Sequence, residues 1–307
     1  MDIFLQQIIN GLVQGSIYAL VALGYTMVYG IMGLINFAHG EVVMIGSLVT
    51  ISVVGLLVKL GVPLALAGVL GLISAILVCM ALGWGLERIA YRPLRNAPRL
   101  APLITAIGMS IVLQNLAMLI WGRNYLTFPQ LLPKVDFELA GTNFTAVQVI
   151  IVLVSAVTMG GLLLLVYRTK LGMAMRATSQ NMAVASLMGV NINRVIAAAF
   201  IIGSALAALA GVMVGSYYEI AHYQMGFMLG LKAFTAAVLG GIGNLAGAML
   251  GGILLGLIEA LGAGYIGDLT GGFLGSHYQD IFAFVVLIVV LMFKPSGLFG
   301  EKTGDRA

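Results

Sequence analysis

The sequence predicts an all-α polytopic membrane protein with eight or nine transmembrane helices. Three observations carry this expectation. Charged residues make up only 8% of the 307 residues, against about 25% in soluble domains. Apolar runs recur along the whole chain, and about 20 apolar residues let a helix cross the hydrocarbon core. The runs are continuous, whereas strands of a transmembrane barrel alternate every second residue.

In chain order, spans are expected near 5–31, 41–58, 62–86, 101–121, 145–167, 195–218, 226–242, 246–266 and 278–293. The start, MDIFLQQIINGL, has no basic region ahead of its apolar residues, so it reads as a first span and not as a cleaved signal. Cys79, the one cysteine, lies inside an apolar run, which leaves no intrachain disulfide. Residues 123–144 carry Arg123, Lys134, Asp136 and Glu138 with Pro129 and Pro133, and read as a mixed-charge extracytoplasmic cap. Glycines interrupt the stretch near 226–266, which is why the count is eight or nine. The whole chain reads as a single transmembrane domain, 1–307, with a cytoplasmic tail at 294–307.

Basic residues set the orientation. Arg88, Arg92, Arg95 and Arg99 form one cluster, Arg168, Lys170, Arg176 and Arg194 a second, and Lys294, Lys302 and Arg306 a third. These groups hold 11 of the 15 basic residues, and even numbers of crossings separate them in the nine-span reading. They share the cytoplasmic side, which puts the N-terminus outside and the C-terminus inside. The net charge of +4 is then a membrane-edge feature and gives no sign of a nucleic-acid partner.

The 27 residues Arg168–Arg194 are more than a turn between spans needs. Thr178 or Ser179 is expected to cap a short helix there, with Met182, Ala185, Leu187 and Met188 on one face and Gly189 ending it. Two readings fit: an amphipathic helix on the lipid surface, or a docking element that seats on a partner protein. The small, methionine-rich face suits adaptable protein packing.

Two glycine-punctuated stretches read as helix breaks, one with Gly33, Asn36, His39, Gly40 and Glu41, the other with Gly240, Gly241, Gly243, Asn244 and Gly247. Irregular backbone at membrane depth needs protein or a watery cavity around it, and paired breaks point to a transport path in repeat-built transporters. The first stretch also reads as a plain cytoplasmic turn. Asn36, His39, Gln114, Asn115 and Asn244 are the candidate polar groups of such a path. Small residues four apart, such as Gly226/Gly230 and Gly252/Gly256, allow close helix approach, within the chain or against another subunit. Lys232 and Glu259 lie in apolar runs and are expected to pair, or Lys232 to snorkel outward. His39, His222 and His277 are too scattered for a metal site, and no metal is expected.

None of the six lysines follows a glycine, so no phosphate-binding loop is present, and no nucleophile–base set is apparent. An enzyme is therefore not expected. GYTMVYGIMGLINFAHGE (24–41), ERIAYRPLR (87–95), AIGMSIVLQN (106–115), ASLMGVNINRVIAAAF (185–200), KAFTAAVLGGIGNLAGAMLGG (232–252) and KPSGLFG (294–300) resemble the LivH-type inner-membrane permease subunits of bacterial branched-chain amino acid ABC importers. The resemblance runs nearly full length. It implies alternating access powered by two separate ABC ATPase subunits, with ATP used there and no cofactor on this chain. It also implies a second, LivM-like permease subunit and a periplasmic amino-acid-binding protein. Importers of this wide class often carry Glu-Ala-Ala-x-x-x-Gly in the docking loop; here Ala183, Val184 and Ala185 precede Gly189, and the acidic residue is missing. The alternative is a self-sufficient secondary transporter or channel, or a permease for other amino acids, amides or urea.

Overall fold

Each expected span forms a helix close to its expected bounds in the computed structural model, which describes residues 2–95, 97–98, 100–131, 135–139, 141–270 and 278–300. In order these are α1 (Asp2–Met32), α2 (His39–Lys59), α3 (Leu64–Gly85), α4 (Leu100–Trp121), α5 (Ala146–Arg168), α6 (Lys170–Gln180), α7 (Met182–Leu187), α8 (Ile192–Tyr218), α9 (Met225–Gly240), α10 (Leu245–Leu269) and α11 (Gln279–Phe293). Among the described residues, 7 helices are long and apolar enough to cross a membrane: α1–α5, α8 and α10. α9 and α11 are apolar but shorter; the 16 residues of α9 extend about 24 Å against a core of roughly 30 Å. The chain is a multi-pass, all-α membrane protein. Arg99, Pro133, Lys134, His277, Lys302 and Arg306 lie outside the described residues.

Burial ranks the helices. The apolar window of α1 is 83% buried and that of α4 only 17%, so α1 is the central post and α4 lies on the flank. Small residues bring α1 against α10. A Cβ on Gly11 would meet the Leu257 Cα at 2.8 Å, and one on Gly15 the Ile253 Cα at 2.7 Å. Gly226 and Gly230 of α9 lie likewise against Gly40 of α2. The four-residue spacing seen in the sequence is thus spent inside this chain, where backbone contact replaces side-chain interdigitation.

The region 123–144 holds short strands that the apolar pattern did not show. β1 (Leu126–Thr127) pairs antiparallel with β4 (Ile220–Ala221), which ties the region to the end of α8. β2 (Asp136–Leu139) and β3 (Thr142–Thr145) form an antiparallel hairpin. Thr145 then starts α5 through a capping box: its hydroxyl accepts from the Gln148 amide at 3.3 Å, and the Gln148 side chain accepts from the Thr145 amide at 2.9 Å.

Beyond α3 the chain continues as a π-helical turn, Leu86–Tyr91, and a 3-10 turn, Arg92–Leu94. This geometry turns Glu87 inward. Its carboxylate is wholly buried and pairs with Arg92 at 3.3 Å and with Arg95. Burial lowers the Arg95 guanidinium from its ordinary value, while the Glu87 carboxylate acts in the opposite direction.

Candidate functional site

The long basic loop folds as two helices, which corrects the single helix expected from Thr178 to Gly189. Thr178 and Ser179 do not cap; their hydroxyls donate to the Ala174 and Arg176 carbonyls at 2.7 and 2.8 Å inside α6. Thr169 caps α6 by accepting from the Gly172 amide at 3.1 Å. Asn181, in extended backbone, caps α7 by accepting from the Val184 amide at 3.0 Å. An asparagine amide serves an N-cap as well as a hydroxyl does, and of Thr178, Ser179 and Asn181 only Asn181 has the non-helical backbone a cap requires. Gly189 closes α7 with φ +85°, and the Val190 amide reaches back to the Ala185 carbonyl at 3.0 Å, a Schellman-type end.

That short helix is anchored on one side and bare on the other. Ala185 of α7 is buried, as is Thr178 of the preceding α6, whereas Leu187 is 87% and Met188 81% exposed. Met182 is exposed at the edge of a cavity of about 420 Å³ that it shares with Arg92, Arg95 and Asn193. Leu187 and Met188 thus form an exposed apolar tip on a capped support.

Both glycine-punctuated stretches do leave the helical path, but not at every glycine expected. Gly33, Gly241 and Gly243 take φ of +64°, +108° and +97° in the non-helical segments, a backbone that side chains with a Cβ resist. Gly240 is the last residue of α9. Gly40 and Gly247 lie inside α2 and α10, so for these two the expectation of a break is corrected; each allows backbone contact, with Gly226 and Gly240 respectively. The two breaks are neighbours: a Cβ on Gly30, near the end of α1, would lie 3.6 Å from the Gly243 carbonyl oxygen.

The expected path residues separate into four situations. Asn36 and His39 are buried at the first break. The Asn36 side-chain oxygen accepts from the Tyr91 hydroxyl at 2.7 Å, and its backbone oxygen accepts from the His39 amide at 3.0 Å. The His39 ring meets Tyr25 edge-on at 4.9 Å. Gln114 lines a cavity of about 250 Å³ between α4 and α9, with Tyr25, Phe37, Ser110 and Phe227. Asn115, the next residue, is exposed on the outer flank and bonds to its own helix through the Ile111 carbonyl at 2.8 Å. Asn244 holds structure together. Its oxygen caps α10 at the Gly247 amide (3.0 Å), and its nitrogen donates to the Phe299 carbonyl (3.0 Å). The Leu298 and Phe299 amides in turn donate to the Leu239 and Gly240 carbonyls, each at 2.9 Å. The tail motif KPSGLFG is thus the cover of the second break.

Lys232 and Glu259 pair at 3.1 Å. Two further members were not apparent from the sequence. Asp280 lies 2.7 Å from the Lys232 ammonium, and the Tyr18 hydroxyl donates to Glu259 at 2.8 Å. Next to this network is a third cavity of about 240 Å³, lined by Tyr18, Tyr218, His222, Met225 and Lys232.

Comparison with known proteins matches residues 7–291 to the family described as branched-chain amino acid transport system / permease component. The chain is 47% identical over 310 residues to the high-affinity branched-chain amino acid transport system permease protein BraD of Pseudomonas aeruginosa, covering 99% of this chain and 98% of that one. It is 46% identical over 308 residues to the LivH permease protein of Escherichia coli K12, with 99% and 97% coverage. A probable branched-chain amino acid transport permease protein LivH of Methanocaldococcus jannaschii is 28% identical over 304 residues, with 97% and 94% coverage.

Proposed function

Because the chain belongs to the family of branched-chain amino acid transport permease components, we propose that it is one half of an ABC importer's membrane pore and carries leucine, isoleucine and valine across the bacterial inner membrane. The whole chain, 1–307, acts as one permease domain. The other half is a second, LivM-like permease subunit; two ABC ATPases lie on the cytoplasmic side, and a periplasmic binding protein delivers substrate. The N-terminus is periplasmic and the C-terminus cytoplasmic.

The single observation that carries the coupling is the exposed apolar tip Leu187–Met188 on a helix whose other side is buried through Ala185. ATP binding closes the ATPase pair and pushes on α7. The capped joints at Asn181 and Asn191 pass that push to α6 and α8, and the membrane helices tilt against the partner permease. ATP biases the cycle only to the extent that it binds one state better than the other. Contact rests on packing, since no acidic residue occupies Ala183–Ala185. In this reading the partners hydrolyse ATP, which agrees with the lack of a glycine–lysine motif in this sequence.

Reconstitution tests this. In proteoliposomes, the four kinds of subunit together should concentrate leucine when ATP is supplied, and leaving out the ATPases should abolish uptake. Uphill uptake by this chain alone would establish a self-sufficient secondary transporter instead.

A further inference from the structure

Three carboxylates are completely buried in the described residues: Glu41, Glu87 and Glu259. Two of them have cations. Glu87 pairs with Arg92 and Arg95, and Glu259 with Lys232. Glu41 has no ion pair among the described residues. One of its oxygens accepts from the Ser110 hydroxyl at 3.0 Å, and the other, Oε2, has no hydrogen-bond partner. A buried carboxylate left charged without a partner costs several kcal/mol, and the described residues bring Glu41 no cation.

Ser110 also lines the cavity of about 250 Å³ between α4 and α9. It lies midway along α4, at the depth where transporter substrate sites are found. Its hydroxyl proton is committed to Glu41, and its lone pairs remain free to accept from a donor in the cavity. Most of the remaining wall is apolar: Phe37, Ile111, Phe227 and Leu231, with the Gln114 amide as a further polar group. The cavity borders α4, which the rest of the chain covers least among the seven spanning helices.

We propose that this cavity is a transient seat for the zwitterionic substrate, with Ser110, polarised by Glu41, receiving its ammonium group and Phe37, Ile111, Phe227 and Leu231 receiving its apolar side chain. Gln114 donates to the substrate carboxylate, and the partner permease closes the open flank. The inference rests on the proposed function and adds the place where the pore meets its cargo.

The single cysteine of the chain makes a direct test possible. Cys79 is buried, so Cys79→Ala gives a background in which Ile111→Cys, or Phe227→Cys as a second position, is labelled in the complete reconstituted complex. Relative to the same two reagents on a free thiol, a cationic methanethiosulfonate should be favoured about tenfold over its anionic counterpart, given the Glu41 carboxylate bonded to Ser110 on the cavity wall. Glu41→Gln should bring that ratio close to one, Glu41→Asp should keep most of it, and leucine should slow labelling at both positions. Equal relative rates for the two reagents, or no protection by leucine in a complex that still imports leucine, would overturn the seat and leave the importer reading intact. A wild-type complex that imports no leucine would overturn both.

Discussion

Replacing Lys232 with methionine keeps the length of the side chain and removes its charge. Lys232 holds Glu259 at 3.1 Å and Asp280 at 2.7 Å, with side-chain exposures of 14%, 0% and 32% in that order. Breaking a buried pair from one side costs about 3–5 kcal/mol, because the remaining charge is stranded. Asp280 contributes little to this, since a third of it reaches solvent and water screens it. Glu259 carries nearly the whole penalty, and the Tyr18 hydroxyl at 2.8 Å still satisfies one of its oxygens. An expected loss of about 3 kcal/mol follows, at the lower end of that range. The double variant Lys232→Met/Glu259→Gln removes the stranded charge and should recover about 2 kcal/mol of it, a coupling typical of contacting residues. The assay is reversible unfolding in mixed micelles, followed by tryptophan fluorescence, for the two single variants and the double. A single Lys232→Met loss within about 0.5 kcal/mol, the range of ordinary surface changes, would refute the reasoning. So would simple addition of the two single effects.

Three further outcomes are expected. Leu187→Asp should leave stability unchanged, because Leu187 is 87% exposed. It should cost about 2 kcal/mol of docking, the burial energy of one leucine, read as uptake reduced more than tenfold while ATP hydrolysis continues; normal uptake would remove α7 from its role. Gly15→Leu should prevent α1 and α10 from meeting, since even a Cβ there comes within 2.7 Å of the Ile253 Cα; it should cost upward of about 2 kcal/mol through overpacking and lower the yield of folded protein, whereas Gly55→Leu, with open space around it, should not. Asn244→Ala should remove a helix cap worth about 1 kcal/mol and free the tail, seen as faster proteolysis near Phe299; an unchanged cleavage rate would show that the tail is held by other contacts.

Much of the fold is written in the apolar runs, because a membrane helix must satisfy its backbone internally and cover it with apolar side chains over a fixed length. Local choices were less legible. Thr178, Ser179 and Asn181 are all good caps, and only the backbone at Asn181 decides among them. Gly33 and Gly40 look alike in sequence, yet one bends the chain with a positive φ and the other lets α9 touch α2; the difference lies in a neighbour almost 190 residues away. Gln114 and Asn115 are adjacent on a helix that is apolar all round, so no polar stripe tells which of them faces the cavity and which the flank. The Tyr18–Glu259 bond joins residues 241 positions apart and leaves no local trace. Lys232 and Glu259 were legible because a charge inside a membrane needs a partner.

The tail that closes the second break also sets an order of events during synthesis. Leu239 and Gly240 expose their carbonyls at the end of α9 until Leu298 and Phe299 arrive to bond them. Those two residues leave the ribosome nearly sixty positions later, after α10 and α11 have been made. Every chain stalled or cut before that point keeps an open helix end beside a positive-φ glycine pair. Closure of this helix end therefore waits on residues made after α11, and a nascent chain that stops short of them remains chemically distinguishable from one that contains them.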